Sequence, residues 1–201
     1  MSNDFKITCI KRIRNYNGFR QLWSYLIFYI APTIKKKKPS NIVVIRDDNL
    51  LRLWEMYQIK IKESFGVEYI VLKDEDDKKL IMFYNLQLLE QVIFKQENMD
   101  LLNEYGYSND MSISECLLLL KTKFQTECCP HEIGIFLGYP IKDVKTYISC
   151  PYKTCLMTGY WKVYHNVEQA TATFNEYDSA RNNMMKAVLE GKTIDEVICS
   201  A

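Results

Sequence analysis

The residues best suited to chemistry gather in one stretch, CCPHEIGIFLGYP, from Cys128 to Pro140. It holds two adjacent thiols, one of the chain's two histidines and the carboxylate of Glu132. Three chemistries suit such a set. A thiol beside an imidazole makes a nucleophile if the thiol is partly ionised. A helix start stabilises an anion by about 0.3–1 kcal/mol, which is less than one pKa unit at about 1.4 kcal/mol. Cys129 therefore needs a nearby cation as well, and no lysine or arginine adjoins it. The second chemistry is a soft-metal site or thiol redox centre drawn from Cys128, Cys129, His131, Cys150 and Cys155. Adjacent cysteines ligate one ion awkwardly, and the Cys150–Cys155 spacing is admissible for zinc without being diagnostic. The third is DNA reading by a helix-turn-helix over residues 131–149. Gly134, the turn glycine Gly138, Val144 and Ile148 supply its rhythm, and Lys142, Lys145 and Thr146 would face a groove. No arginine is among those three, although bidentate arginine is the commonest specific base contact.

A second segment, GYWKVY from Gly159 to Tyr164, alternates like a strand. Tyr160, Lys162 and Tyr164 then share one face, and Trp161 and Val163 share the other. With Trp161 turned to the core, the tyrosine–lysine face lines a site for an anionic or planar ligand. The candidate ligand surface is accordingly His131, Glu132, Tyr139, Tyr160, Lys162 and Tyr164. Glu132 also reads as a plain helix-start anion.

The elements that must position these residues follow from periodicity and punctuation. GFRQLWSYLIFYIA is apolar nearly all round and predicts a buried helix that ends at Pro32. Lys35 to Lys38 read as a solvated loop, and NIVVIRD as a strand. A helix with Leu50, Leu53, Trp54, Tyr57 and Ile61 on one face closes at Gly66. VEYIVLKDEDDKKLIMFYN predicts an antiparallel hairpin whose loop runs from Asp74 to Lys79. Helices follow over LQLLEQVIFKQ and, behind a Ser112/Glu115 capping box, over CLLLLKTKF. Pro130 and Gly138 bracket one short helix, and Pro140 starts another, from Ile141 to Cys150. Asn166 caps a long helix with Ala170, Phe174, Tyr177, Met184 and Val188 on its apolar face. Thr193 and Glu196 start a last short one. The predicted class is α+β: a small mixed sheet of about four strands, one antiparallel hairpin among them, covered by helices.

The 201 residues predict a single domain with a core over about 19–189 and short tails. A net charge of +1 gives no global attraction to nucleic acid or an acidic membrane. The apolar run from Leu22 to Ala31 is shorter than the ~20 residues a membrane span needs. An odd count of seven cysteines fits reduced thiols in a cytoplasm. No P-loop, G-x-G-x-x-G, G-x-S-x-G or H-E-x-x-H motif is present.

The segments PHEIGIFLGYPIKDV (Pro130–Val144) and GYWKVY (Gly159–Tyr164), followed by Ala170, Phe174 and Tyr177, resemble a domain-of-unknown-function family found mainly in clostridia and related anaerobic Firmicutes. APT…KPSNIVVI (Ala31–Ile45) is a weaker echo of it. The Cys128–Cys129 pair and the chain after about Arg181 lie outside the resemblance. It implies a cytoplasmic protein of an anaerobe and no assigned activity or cofactor. The expected function is a non-catalytic ligand-binding or accessory protein whose partner is a small molecule or a protein. The DNA-binding and thiol/metal readings stand as alternatives.

Overall fold

A computed structural model describes residues 3–126 and 129–200. In chain order the elements are α1 (Asn3–Arg14), α2 (Gly18–Ile34), β1 (Ser40–Ile45), α3 (Asp48–Phe65), β2 (Glu68–Glu75) and β3 (Lys78–Tyr84). Then come α4 (Leu86–Ile93), α5 (Gln96–Asn103), α6 (Ile113–Thr126), α7 (Ile133–Phe136), α8 (Ile141–Ser149), β4 (Met157–Thr158) and β5 (Lys162–Val163). The chain closes with α9 (Val167–Leu189) and α10 (Ile194–Cys199). The fold is α+β. It divides into two compact units, Met1–Asn85 with Glu176–Ala201 (unit 1) and Leu86–Asn175 (unit 2). Among the described residues no helix is long and apolar enough to cross a membrane.

Unit 1 is a three-stranded antiparallel sheet in the order β1-β3-β2, packed on helices. Its core joins Leu26, Ile27 and Ile30 of α2, Trp54 and Ile61 of α3, Ile81 and Phe83 of β3, and Met184 and Val188 of α9. The Trp54 ring meets Tyr69 and Phe83 edge-on at 4.8 and 5.6 Å. At the hairpin tip Glu75 pairs with Lys78, so Asp76 and Asp77 alone make the turn. The loop is shorter than the charge run suggests. Opposite charges face each other across the strands, Glu75 with Lys78 at 2.8 Å and Asp74 with Lys79, and pair as part of the ladder.

The lysine run departs further from expectation. Helix α2 passes through Pro32 and ends at Ile34. The Pro32 carbonyl then accepts from the N–H groups of Lys37 and Lys38 at 2.8 and 3.2 Å, with Lys36 at φ 54°. This tight turn leaves Lys36 and Lys37 exposed and carries Lys38 inward. Lys38 is 2 % exposed and donates to the Ser40 carbonyl at 2.6 Å. Burial, with Arg181 nearby, lowers its pKa to about 7.

Unit 2 is mostly helical, with Leu89, Ile93, Leu102, Leu120, Phe124, Ile135, Phe136 and Val163 buried. The expected capping box is present: Ser112 Oγ accepts from Glu115 N, and Glu115 accepts from Ser112 N at 2.7 Å. GYWKVY does not join a sheet with the unit 1 strands. Its Lys162 and Val163 pair with Thr158 and Met157 in a separate two-stranded ladder. Helix α9 starts at the expected cap, where Asn166 Oδ1 accepts from Gln169 N at 3.1 Å.

Candidate functional site

The PHEIGIFLGYP segment folds as a single helical turn, α7, followed by Gly138 at φ 73° and then α8. Gly138 supplies the left-handed conformation that lets the chain reverse. Gly134 supplies room: a Cβ there would lie 2.9 Å from Val144 Cγ2 of α8. The β4–β5 hairpin lies against α8 because of one residue, Asp143. Its buried carboxylate accepts the Trp161 indole N–H at 2.8 Å and the backbone N–H groups of Tyr164 and His165, each at 2.9 Å. Those two backbone bonds turn the chain out of the strand after Val163. This is why the alternation fails at Tyr164, which is 5 % exposed with its hydroxyl unpartnered among the described residues.

Trp161 is buried between Tyr139 at 5.3 Å and Phe174 at 4.5 Å. Phe174 fills the space above Gly159, where a Cβ would come within 2.2 Å of the ring. Tyr160 also packs on Phe174, at 5.4 Å.

On one side of the Tyr139–Trp161 wall lies a cleft of about 360 Å³ with largely apolar walls, among them Ile133, Leu137 and Val144. His131, Tyr139 and Lys162, three of the six expected ligand residues, line it together. Tyr147 of α8 connects two of them: the His131 ring meets it edge-on at 5.5 Å, and Lys162 Nζ lies 5.4 Å from its centroid. Beyond these ring contacts His131 and Lys162 have no hydrogen bond or ion pair among the described residues. Burial, with Cys129 adding, pushes the Tyr139 phenol up to about 12, so it remains a hydroxyl donor at neutral pH.

The other three expected residues lie elsewhere. Glu132 is 1 % exposed and accepts from Lys123 Nζ at 2.6 Å. Lys123 also sits over the rings of Tyr105 and Tyr107, at 5.1 and 5.2 Å. Glu132 is thus the anionic half of a buried pair. Neither it nor Tyr160 nor Tyr164 lines the cleft. Of the metal candidates, Cys128 falls outside the described residues, and Cys155 Sγ lies 3.3 Å from Thr158 Oγ1. Among the described residues no group of three or more His, Cys, Asp or Glu side chains is placed to hold an ion. On α8, Lys142 and Lys145 are exposed, while the Thr146 hydroxyl lies 3.0 Å from His165 Nε2.

A family model described as "Protein of unknown function (DUF3793)" matches residues 26–198. The chain belongs to this family. No curated protein and no solved structure matches the DUF3793 chain.

Across the Tyr139–Trp161 wall the DUF3793 chain has a second, more polar cleft of about 620 Å³. Several of its polar groups are engaged within the cleft. Asn98 donates to the Val92 carbonyl at 2.6 Å, Asn166 donates to Gln169 at 3.0 Å, and His165 is close to Thr146. Asp143, which borders both clefts, holds three donors. Lys95 and Lys142 in this larger lining are also without a hydrogen bond or ion pair among the described residues, so what sets the smaller cleft apart is its apolar wall with His131 and Lys162 gathered on Tyr147. Sequence reasoning missed Asp143 and Tyr147. An acid in the first turn after Pro140 reads as a helix-dipole partner, and a tyrosine on a short helix reads as packing. What distinguishes both is reached only through the tertiary fold.

Proposed function

We propose that unit 2 is a non-catalytic binding module for a small, largely apolar molecule that carries one carboxylate. The ligand body lies against Ile133, Leu137 and Val144, and its carboxylate meets Lys162 and His131. The observation that carries this reading is the placement of these two side chains. They come from segments distant in sequence, border one apolar cleft, share Tyr147 and keep their polar ends uncommitted. A cavity of about 360 Å³ falls at the small end of the ~300–1,000 Å³ range typical of ligand pockets. Binding fits better than catalysis because the buried acids are occupied, Asp143 by three N–H donors and Glu132 by Lys123. A cytoplasmic setting in an anaerobe belongs to the same reading. The free thiols among the described cysteines support the first part, and the sequence resemblance supports the second.

The test is a calorimetric titration with acetate, hexanoate, benzoate and indole-3-acetate. Affinity should rise with apolar size, since each buried CH₂ contributes about 0.8 kcal/mol. Lys162→Ala should weaken the best ligand about tenfold, as expected for loss of a charge-assisted contact. No binding by any member, or binding indifferent to both Lys162→Ala and His131→Ala, would overturn the proposal.

A further inference from the structure

Unit 1 carries a groove of about 440 Å³ bordered by α1, α2 and the turn from β1 to α3. Its floor is aromatic and held in place. Tyr29 is 38 % exposed, and its ring is fixed by Phe28 at 5.1 Å and Tyr25 at 4.9 Å, tilted 78° and 56°. The Tyr25 hydroxyl is committed to the Val44 carbonyl at 3.0 Å. Burial, with Tyr29 adding, drives the Tyr25 phenol above its ordinary range, so no phenolate opposes an incoming anion.

Two cations border this floor. Arg14 ends α1 and Arg46 follows β1; both are exposed, and both line the groove. Neither guanidinium has a hydrogen bond or ion pair among the described residues. The acid in the lining, Asp47, is the N-cap of α3 and accepts from Leu50 N at 3.0 Å. A helix-end role accounts for Arg14 in the last turn of α1. It does not account for Arg46, nor for an exposed tyrosine ring in the same lining.

We propose that this groove binds a phosphomonoester carried on a flat ring, with the guanidinium groups of Arg14 and Arg46 on the phosphate and the ring against Tyr29. Guanidinium is planar, always charged and matched to phosphate oxygens through paired N–H donors. A fixed tyrosine ring offers an offset-stacked or edge contact at little entropic cost. The site is independent of the unit 2 cleft. It differs in chemistry too: a dianion held by two arginines, against a monocarboxylate held by a lysine and a histidine.

The experiment titrates the full chain with phenyl phosphate, inorganic phosphate and phenol, following amide and arginine side-chain NMR shifts. Phenyl phosphate should bind at least about tenfold tighter than either fragment, because both contacts form only with it. Arg14→Gln and Arg46→Gln should each weaken it about tenfold while leaving the melting temperature unchanged, since both side chains are exposed. Tyr29→Leu should weaken phenyl phosphate and leave inorganic phosphate unaffected. The proposal falls if phenyl phosphate does not bind at low-millimolar concentration. It falls equally if phosphate alone binds as tightly, or if the arginine variants bind like wild type. Loss of binding in His131→Ala or Lys162→Ala would move the phosphate to unit 2 and overturn it too.

Discussion

Trp161 donates its indole N–H to Asp143 at 2.8 Å, and that carboxylate also receives the backbone N–H groups of Tyr164 and His165. One side chain of α8 therefore fixes the indole, the end of β5 and the turn toward α9. Asp143→Asn keeps the shape but sets an amide N–H₂ against one of three donors. Hydrogen bonds to charged groups are worth about 1.5–3 kcal/mol, so the substitution should cost about 2–3 kcal/mol in urea unfolding. A loss below about 0.5 kcal/mol, the level of an ordinary surface change, would remove Asp143 from this role.

Glu132 and Lys123 form a pair with side-chain exposures of 1 % and 16 %. Removing one partner leaves the other charge poorly solvated. Glu132→Ala should therefore destabilise by about 3–5 kcal/mol, and the double variant Lys123→Met/Glu132→Met should lose less than either single Met variant. Chemical denaturation of the set gives the coupling. Independent, additive losses would mean that the contact contributes little.

The two tight glycines should respond in the order of their contacts. A Cβ at Gly134 meets a valine methyl at 2.9 Å, whereas one at Gly159 meets the Phe174 ring at 2.2 Å. Overpacking costs about 1–3 kcal/mol, which suits Gly134→Ala; Gly159→Ala should reach or pass the upper end. Phe174→Leu should recover part of the Gly159→Ala loss. A thermally neutral Gly159→Ala would show that the hairpin does not need this close approach.

Lys38 should make stability depend on pH in the alkaline range. Its folded pKa, about 7, is lower than its ordinary value of 10.5. Between those values the unfolded chain holds a proton that the folded chain has released. Stability therefore rises with pH across that window, at up to about 1.4 kcal/mol per unit, and the full penalty remains below pH 7. Lys38→Met should be more stable than wild type at neutral pH and should flatten the curve. Parallel urea midpoints for the two proteins would refute the assignment.

The local grammar of the chain was legible. Asn166, Ser112 with Glu115, and Thr193 with Glu196 form the caps their spacing predicts. Gly66 and Gly138 adopt the positive φ values their positions require. The long-range partners were not legible. A lysine six places after a helix proline reads as solvated, yet the turn at Pro32 buries Lys38. Glu132 reads as a helix-start anion until Lys123 is found beside it. Tyr164 belongs to the Lys162 face only if the strand continues, and Asp143 ends it. Periodicity reports which face a residue occupies and says nothing of the partner it meets there. Of the six residues anticipated from two motifs, His131, Tyr139 and Lys162 line one cleft.

The division of the chain has a consequence for biosynthesis. Unit 2 is one uninterrupted stretch, whereas unit 1 is assembled from both sides of it. The core of unit 1 includes Met184, Met185, Val188 and Val197, which the ribosome delivers after the last residue of unit 2. Until those four arrive, the part of the core they fill stays open, although α2, α3 and the sheet pack on one another. The whole of Leu86–Asn175 is therefore translated before the core of unit 1 can be completed.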